Sequence, residues 1–173
     1  MSCPTCGSIL IPIGPVGPQG PIGPTNPSVV DNKLVPAFTI ANTLLTVLQT
    51  ITIPANTLTT NGSKFIARTV FRFANNGNAK QAGIRIAGVT SSMLSFTNNG
   101  PFVMDLEVNR VGSLLASACS IRYADTVIGP NFYGSSLAVD FTNPIIVDAI
   151  AQNGVASAND IECDKLDVVK YLK

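Results

Sequence analysis

Few residues of this sequence have side chains that could carry out chemistry. Histidine is absent, so the side chain that most often serves as a general base or a metal ligand is missing. Cys3 and Cys6 form a Cys-x-x-Cys pair, the spacing found in half of a zinc site or in a redox pair. A structural zinc site needs four ligands, and the other two cysteines, Cys119 and Cys163, are single and far apart. We therefore predict no metal site within one chain.

Two interpretations of the N-terminal cysteines stay open. If three chains associate, the three copies of Cys3 and Cys6 converge, and disulfides in an oxidising setting could link the chains. Otherwise the two residues form a free, disordered pair. We expect Cys119 and Cys163 to be unreactive, because Cys119 shares an apolar strand face with Ile121, where a thiol behaves as a small buried hydrophobe.

The densest acidic group lies near the C-terminus and consists of Asp160, Glu162, Asp164 and Asp167. Carboxylate oxygens can bind calcium, but this group lacks the glycine and the spacing of a calcium loop. We predict that it is a solvated strand edge whose charges discourage edge-to-edge pairing. The sequence also contains no GxGxxG, P-loop, nucleophile-elbow or HExxH motif. We therefore predict no catalytic residue, no cofactor and no enzymatic activity.

Charge and hydropathy argue against two classes of partner. Charged residues make up 12% of the 173-residue chain, the net charge is +1, and Lys and Arg are scattered, so no basic face is available for nucleic acid. No apolar run approaches the roughly 20 residues of a membrane span, and residues 9–13 are too short and lack the basic flank of a signal peptide. We expect a soluble chain with one globular domain and an N-terminal arm.

The arm contains a collagen-like repeat at residues 14–25, which read GPVGPQGPIGPT. Only glycine fits at the axis of a collagen triple helix, so the period predicts three chains wound together in an extended polyproline conformation. The axial residues would be Gly14, Gly17, Gly20 and Gly23. The alternative is a stiff linker in a single chain, since four triplets are too few to hold a triple helix by themselves. We favour a homotrimer because the domain that follows could hold three chains in register.

An apolar tag, SILIPI at residues 8–13, precedes the triplets. It is too short to bury itself, and we predict that it docks into a neighbouring protein. Together with the two cysteines it forms the predicted anchor, whose residues are Cys3, Cys6, Ile9, Leu10, Ile11 and Ile13. The predicted organisation is an anchor at residues 1–13, triplets at 14–25, a linker at 26–37 and a β-domain at 38–173.

The first predicted strand of this domain, residues 43–53, is apolar on both faces. Leu45, Val47, Ile51 and Ile53 share one face, and Leu44 and Leu48 share the other. Such a strand needs cover on both sides, which a sandwich and a neighbouring subunit together would provide.

Two further segments alternate clearly between apolar and polar residues. Residues 64–73 place four apolar side chains on one face and two arginines on the other, and residues 102–108 repeat the pattern with acidic residues outward. The turn at Asn75–Asn78 predicts that residues 81–89 are the hairpin partner of residues 64–73. In the last strand, the alternation slips between Cys163 and Leu166, which predicts a β-bulge or a switch of sheet.

About nine predicted strands, separated by turn signals every 8 to 12 residues or so, indicate an all-β, antiparallel β-sandwich of the jelly-roll-like kind. Residues 137–141 are predicted as one of these strands. The longest predicted loop is residues 125–136, which contains Phe132 and Tyr133. Aromatic residues on a loop are candidates for a contact surface, and packing over an open sandwich edge is the alternative.

Three segments carry a resemblance to known proteins. TITIPANTL (residues 50–58), VFRFANNGNAKQAGIRIAG (residues 70–88) and AQNGVASANDI (residues 151–161) resemble the β-sandwich domains of bacteriophage virion proteins on tail fibres or head decorations. The resemblance implies a trimeric jelly-roll-like module without catalytic residues. Collagen-like arms ahead of trimeric β-domains are also similar to exosporium and appendage proteins of spore-forming bacteria.

Three hypotheses of function follow. The first is a structural protein of the virion, a trimeric fibre or capsid-decoration subunit that is anchored by its arm to neighbouring structural subunits. The second is a self-assembling subunit of a spore surface or extracellular filament. The third is a trimeric head that binds a receptor or glycan, with Phe132 and Tyr133 at the contact surface.

Overall fold

The computed structural model describes residues 27–96, 100–112, 116–124 and 131–173, and all regular elements in these ranges are β-strands. For β8 and β9 the description covers the backbone. The strands are β1 (Ser28–Lys33), β2 (Ala37–Phe38), β3 (Thr46–Ile53), β4 (Lys64–Phe73), β5 (Lys80–Ile86), β6 (Val89–Phe96), β7 (Gly100–Arg110), β8 (Ala116–Ala124), β9 (Asn131–Leu137), β10 (Ile145–Asn153) and β11 (Ile161–Tyr171).

These strands form two antiparallel sheets that pack as a β-sandwich. The larger sheet has the order β1-β11-β4-β7-β8-β9, with β2 also paired to β11, and the smaller has the order β3-β10-β5-β6. The chain crosses between the sheets at each connection except β1 to β2, β5 to β6, β7 to β8 and β8 to β9. Apart from the β8–β9 hairpin, this leaves four main strand positions in each sheet of the sandwich.

The alternation in β4 and β7 is confirmed and builds the centre of the core. Phe65, Ala67, Phe71 and Phe73 of β4 are buried, with exposures of 0 to 6%. The alternate residues of the neighbouring strand β7, namely Phe102, Met104, Leu106 and Val108, are equally buried. Truncating a buried phenylalanine of this kind to alanine removes about 3–5 kcal/mol of stability.

The predicted face of β3 is wrong in its first half. The register against β10 shifts between Gln49 and Val47, so that a β-bulge lies at Leu48. Because a bulge adds one residue, it reverses the side to which the preceding side chains point. Gln49 and Ile51 are buried, whereas Val47 is 42% exposed. The alternation slip predicted in β11 is confirmed as a register shift between Cys163 and Lys165.

The predicted hairpin between residues 64–73 and 81–89 is also wrong. β4 pairs with β11 and β7 in the larger sheet, whereas β5 pairs with β10 and β6 in the smaller one. A turn signal such as Asn75–Asn78 marks a change of direction, but it does not determine which sheet the next strand joins. Residues 138–141, predicted as part of a strand, lie between β9 and β10.

Residues 26–37, expected to be a linker, contain β1 and the start of β2. Both strands pair with β11, β1 at Leu166 to Lys170 and β2 at Glu162 and Cys163. They therefore form one interrupted edge strand, and the interruption lies opposite the bulge of β11.

The sandwich has two distinguishable ends. β1 begins at Ser28, which pairs with Lys170 near the end of β11, and we call this the arm end because the arm precedes β1. β11 begins at the opposite end, where Ile161 pairs with Phe73 of β4. This distal end therefore carries the turns at residues 74–79 and 154–160.

Candidate functional site

One edge of the sandwich exposes a row of large apolar side chains. They lie between the end of β1 and the first half of β3, and each is at least 42% exposed. We call this surface the apolar edge and define it as Leu34, Val35, Phe38, Ile40, Leu44, Leu45 and Val47. β1 and β2 border the larger sheet, β3 borders the smaller one, and both β1 and β2 contact β3. The apolar residues thus follow the line where the two sheets meet at their edges.

Gln49 fastens this edge across the two sheets. Its Nε2 donates to the carbonyl of Val35 at 2.8 Å and to that of Cys163 at 3.0 Å. The carbonyl of Cys163 lies at the bulge of β11, and the bulge at Leu48 turns Gln49 inward. Two irregularities therefore meet at one side chain, which is 7% exposed and whose Oε1 has no partner among the described residues.

The loop between β2 and β3 is held just as firmly. Asn153 Nδ2 donates to the carbonyl of Ile40 at 3.0 Å, and Gln152 Nε2 donates to that of Thr43 at 2.9 Å. Thr39 exchanges bonds with Ile161, donating its backbone N–H to the carbonyl at 2.9 Å and accepting the Ile161 N–H on its hydroxyl at 3.1 Å. Hydrogen bonds to backbone carbonyls fix this loop, so the exposed side chains near it project from an ordered backbone.

A second polar cluster joins the two turns at the distal end. Asp160 accepts from Asn76 Nδ2 at 2.5 Å, from Asn78 Nδ2 at 2.9 Å and from the hydroxyl of Ser157 at 2.8 Å. Lys80, which is fully buried, donates from Nζ to Asn76 Oδ1 at 2.7 Å and to the carbonyl of Asn78 at 2.8 Å. Buried charges are retained when they are paired and hydrogen-bonded, so this cluster is a structural junction between the turns.

The electrostatics of Asp160 agree with that role. Burial by itself raises the pKa of this carboxyl, but the hydrogen bonds from Asn78, Ser157 and Asn76, together with the charge of Lys80, outweigh burial and hold the pKa below its ordinary value. The two oxygens of this ionised carboxylate already accept three hydrogen bonds. The carboxylate is therefore poorly suited to act as a general base.

The predicted role of the acidic group as a strand edge is wrong, because β11 lies between β1 and β4. Asp164 pairs with Arg72 at 2.8 Å, and Asp167 pairs with Lys165 at 2.5 Å. Burial and the neighbouring Asp164 raise the pKa of Glu162. Within the part of the chain that the structure describes, no three cysteine or carboxylate side chains are grouped so that they could hold a metal ion.

The remaining described charges mostly pair across strands. Arg68 makes a two-pronged contact with Asp105 at 2.6 and 2.7 Å, which raises the pKa of the guanidinium, and Lys64 contacts Glu107 at 3.0 Å. On the smaller sheet, Arg85 donates to Asp148 at 2.7 and 2.9 Å beside a depression of about 380 Å³. The Arg68–Asp105 pair, in which the arginine side chain is more than half exposed, contributes little to stability. These paired charges do neutralise one another, so these faces carry no strong field of one sign.

The structure places the sequence-predicted site residues as follows. Those of the anchor and the triplets, residues 3–23, lie outside the described residues. The backbone of Phe132 and Tyr133 lies in β9, opposite Arg122 and Ile121, so the loop predicted over residues 125–136 is wrong for residues 131–136, whereas residues 125–130 lie outside the described residues. β9 borders the larger sheet on the side away from β1, and these two residues therefore lie far from the apolar edge. The backbone of Cys119 lies in β8 opposite Val108.

Sequence reasoning missed the apolar edge because its residues fell into two predicted classes. Leu34 and Val35 lay in the expected linker, and Leu45 and Val47 were expected on the core face of a strand. The density of large apolar residues between residues 34 and 47 could have indicated this surface, because solvated linkers usually contain few large apolar residues.

Comparisons with known proteins add little. No protein-family model and no curated protein matches the sequence. Among solved structures, the chain is similar to a functionally unknown protein from Saccharomyces cerevisiae, at 11% sequence identity and a TM-score of 0.37, over 79% of this chain and 92% of that one. Among the residues that the structure describes, there is no helix that could cross a membrane.

Proposed function

We propose that this chain is a non-enzymatic structural subunit that works as a homotrimer. Its N-terminal arm anchors it to neighbouring structural subunits, and its β-domain projects from them, as in a virion fibre or a capsid decoration. The collagen-like triplets, Gly14 to Thr25, account for three chains.

The observation that carries this proposal is the place where the arm joins the sandwich. β1 begins at the arm end, beside the last residues of β11, and runs antiparallel to β11 towards the distal end. The turns at residues 74–79 and 154–160 lie at the distal end. The chain enters β1 at one end of the sandwich and the distal turns lie at the other, so a stalk formed by the arm would leave the distal end free, which supports a stalk-and-head arrangement.

The dimensions of the arm agree with a spacer. The twelve residues of the triplets would extend for roughly 35 Å in a polyproline conformation at about 3 Å per residue. The spacer would hold the β-domain clear of the surface that receives the apolar tag at residues 8–13. If that surface belongs to the next trimer, the same architecture yields a filament on a spore or cell surface.

The test is sedimentation and negative-stain microscopy of the purified full chain. Discrete trimers with a globular head and a thin stalk are expected of a fibre or decoration subunit. Spontaneous filaments would assign the chain to an extracellular or spore-surface filament. A monomer at micromolar concentration would contradict the proposal.

A further inference from the structure

We infer that the apolar edge is the surface on which a second copy of this chain docks. The inference rests on the proposed homotrimer and adds the place of contact. Near a three-fold axis, the edge of each copy would meet the edges of both neighbours.

The first argument is the character of the surface. Val35 is 81% exposed and Leu44 is 71% exposed, and large apolar side chains concentrated on one edge indicate an interaction site rather than an ordinary surface. The other large exposed apolar residues of the described chain, among them Val89, Val111 and Val155, stand singly in separate elements, which is normal for a soluble domain.

The second argument is covalent reach, and it selects the occupant. The triplets end at Thr25 and β1 begins at Ser28, so only Asn26 and Pro27 lie between them, and the Cα atoms of Thr25 and Ser28 can be at most about 11 Å apart. If three chains are wound together at the triplets, their β1 strands must start close to the common axis. The apolar residues follow directly after β1 in the chain, so a triple helix at the triplets would bring three apolar edges near one another.

The third argument is preorganisation. Hydrogen bonds from Gln49 to the carbonyl of Val35 and from Asn153 to the carbonyl of Ile40 hold the backbone of the apolar edge in place. Apolar side chains on a fixed backbone lose less conformational entropy when they are covered, so more of their burial is available for association. The only ion pair near this edge between described residues joins Asp31 and Lys33 at 2.9 Å, and both side chains are exposed. Neither residue belongs to the apolar edge, so covering the apolar edge need not bury this pair.

The experiment compares full-length variants by analytical ultracentrifugation. Val35→Glu and Leu44→Glu place a carboxylate on highly exposed positions, where the fold of one copy should tolerate it, and Val111→Glu is the matched control at a 48% exposed position away from the edge. We expect trimer association to weaken at least about tenfold in the first two, because the new charge must be desolvated against an apolar neighbour. Circular dichroism checks that each variant is folded.

Cross-linking supplies a second readout that does not depend on dissociation of the trimer. Val35→Cys and Val111→Cys are prepared in a chain that carries Cys3→Ser and Cys6→Ser, and each is treated with a short bis-maleimide. We expect covalent dimers from the first variant only. A wild-type trimer that survives both glutamate substitutions and gives no Val35→Cys dimer overturns the inference and leaves the proposed function standing. A wild-type monomer overturns the proposed function.

Discussion

The surroundings of the Cys163 thiol lower its reactivity. Its side chain is fully buried and lies 3.3 Å from the hydroxyl of Thr69, and burial raises its pKa to about 11. The nucleophile in maleimide labelling is the thiolate, which such a pKa makes scarce near neutral pH. We expect Cys163 to be labelled only after unfolding, as followed by peptide mass spectrometry with Cys163→Ser as the blank. Labelling within minutes in the native protein would contradict this.

Asp160 predicts a dependence of stability on pH. Its pKa is lowered in the folded protein, so its contribution is present above the ordinary value of 3.8 and is lost as the pH falls through the folded value. We expect Asp160→Asn to destabilise the protein at pH 7 by about 1–3 kcal/mol, because donors arranged for a carboxylate lose a charged partner.

The measurement for Asp160 is urea unfolding of wild type and variant at pH 7 and near pH 3. The difference between their free energies of unfolding should shrink at the lower pH, where the wild-type carboxyl approaches protonation. If the difference is the same at both values, the lowered pKa does not contribute to stability as described.

At the scale of elements, the contact between the two distal turns depends on a glycine. Gly154 donates its N–H to the carbonyl of Ala79 at 2.7 Å, and a Cβ at Gly154 would lie 2.6 Å from that oxygen. Gly154→Ala must therefore push the turns apart, and we expect a loss of about 1–3 kcal/mol. Gly112→Ala is the control, since a Cβ there meets nothing within 4 Å. Equal melting temperatures for the two variants would refute the prediction.

A pair of deletions tests β1 as a part of the sandwich. Removing residues 1–26 leaves all eleven described strands in place, so we expect the melting temperature to stay within a few degrees of the wild-type value. Removing residues 1–37 deletes β1, exposes the edge of β11 and removes Val30, which packs against the core. We expect this second deletion to lower the melting temperature clearly in differential scanning calorimetry. Equal stability of both would mean that β1 is dispensable.

At the scale of the whole molecule, the two open sides of the sandwich differ. The side formed by β1, β2 and β3 carries the apolar edge, whereas the larger sheet ends on the other side at β9. The described outer faces carry ion pairs between neighbouring strands, such as Lys64–Glu107, Arg68–Asp105 and Arg85–Asp148. An apolar edge of this kind is suited to association with another copy, which is the property that the proposed trimer uses.

The sequence by itself determined the elements whose pattern is local. The alternation of residues 64–73 and 102–108 specified two core strands, because successive side chains of any strand point to opposite faces. The break in alternation after Cys163 likewise predicted the bulge of β11, because one extra residue interrupts a period of two. The all-β class followed from the same periodicity together with the turn residues.

The tertiary structure alone decided what depends on neighbours distant in sequence. A turn at Asn75–Asn78 is compatible with a hairpin or a crossover, and its bonds to Asp160 form only in the folded crossover. Val35 and Val47 are apolar in any conformation, yet their exposure results from β1 and β3 lying at the sandwich edge, beyond which no described strand covers them. Burial is a property of the assembled surface, and no local pattern contains it.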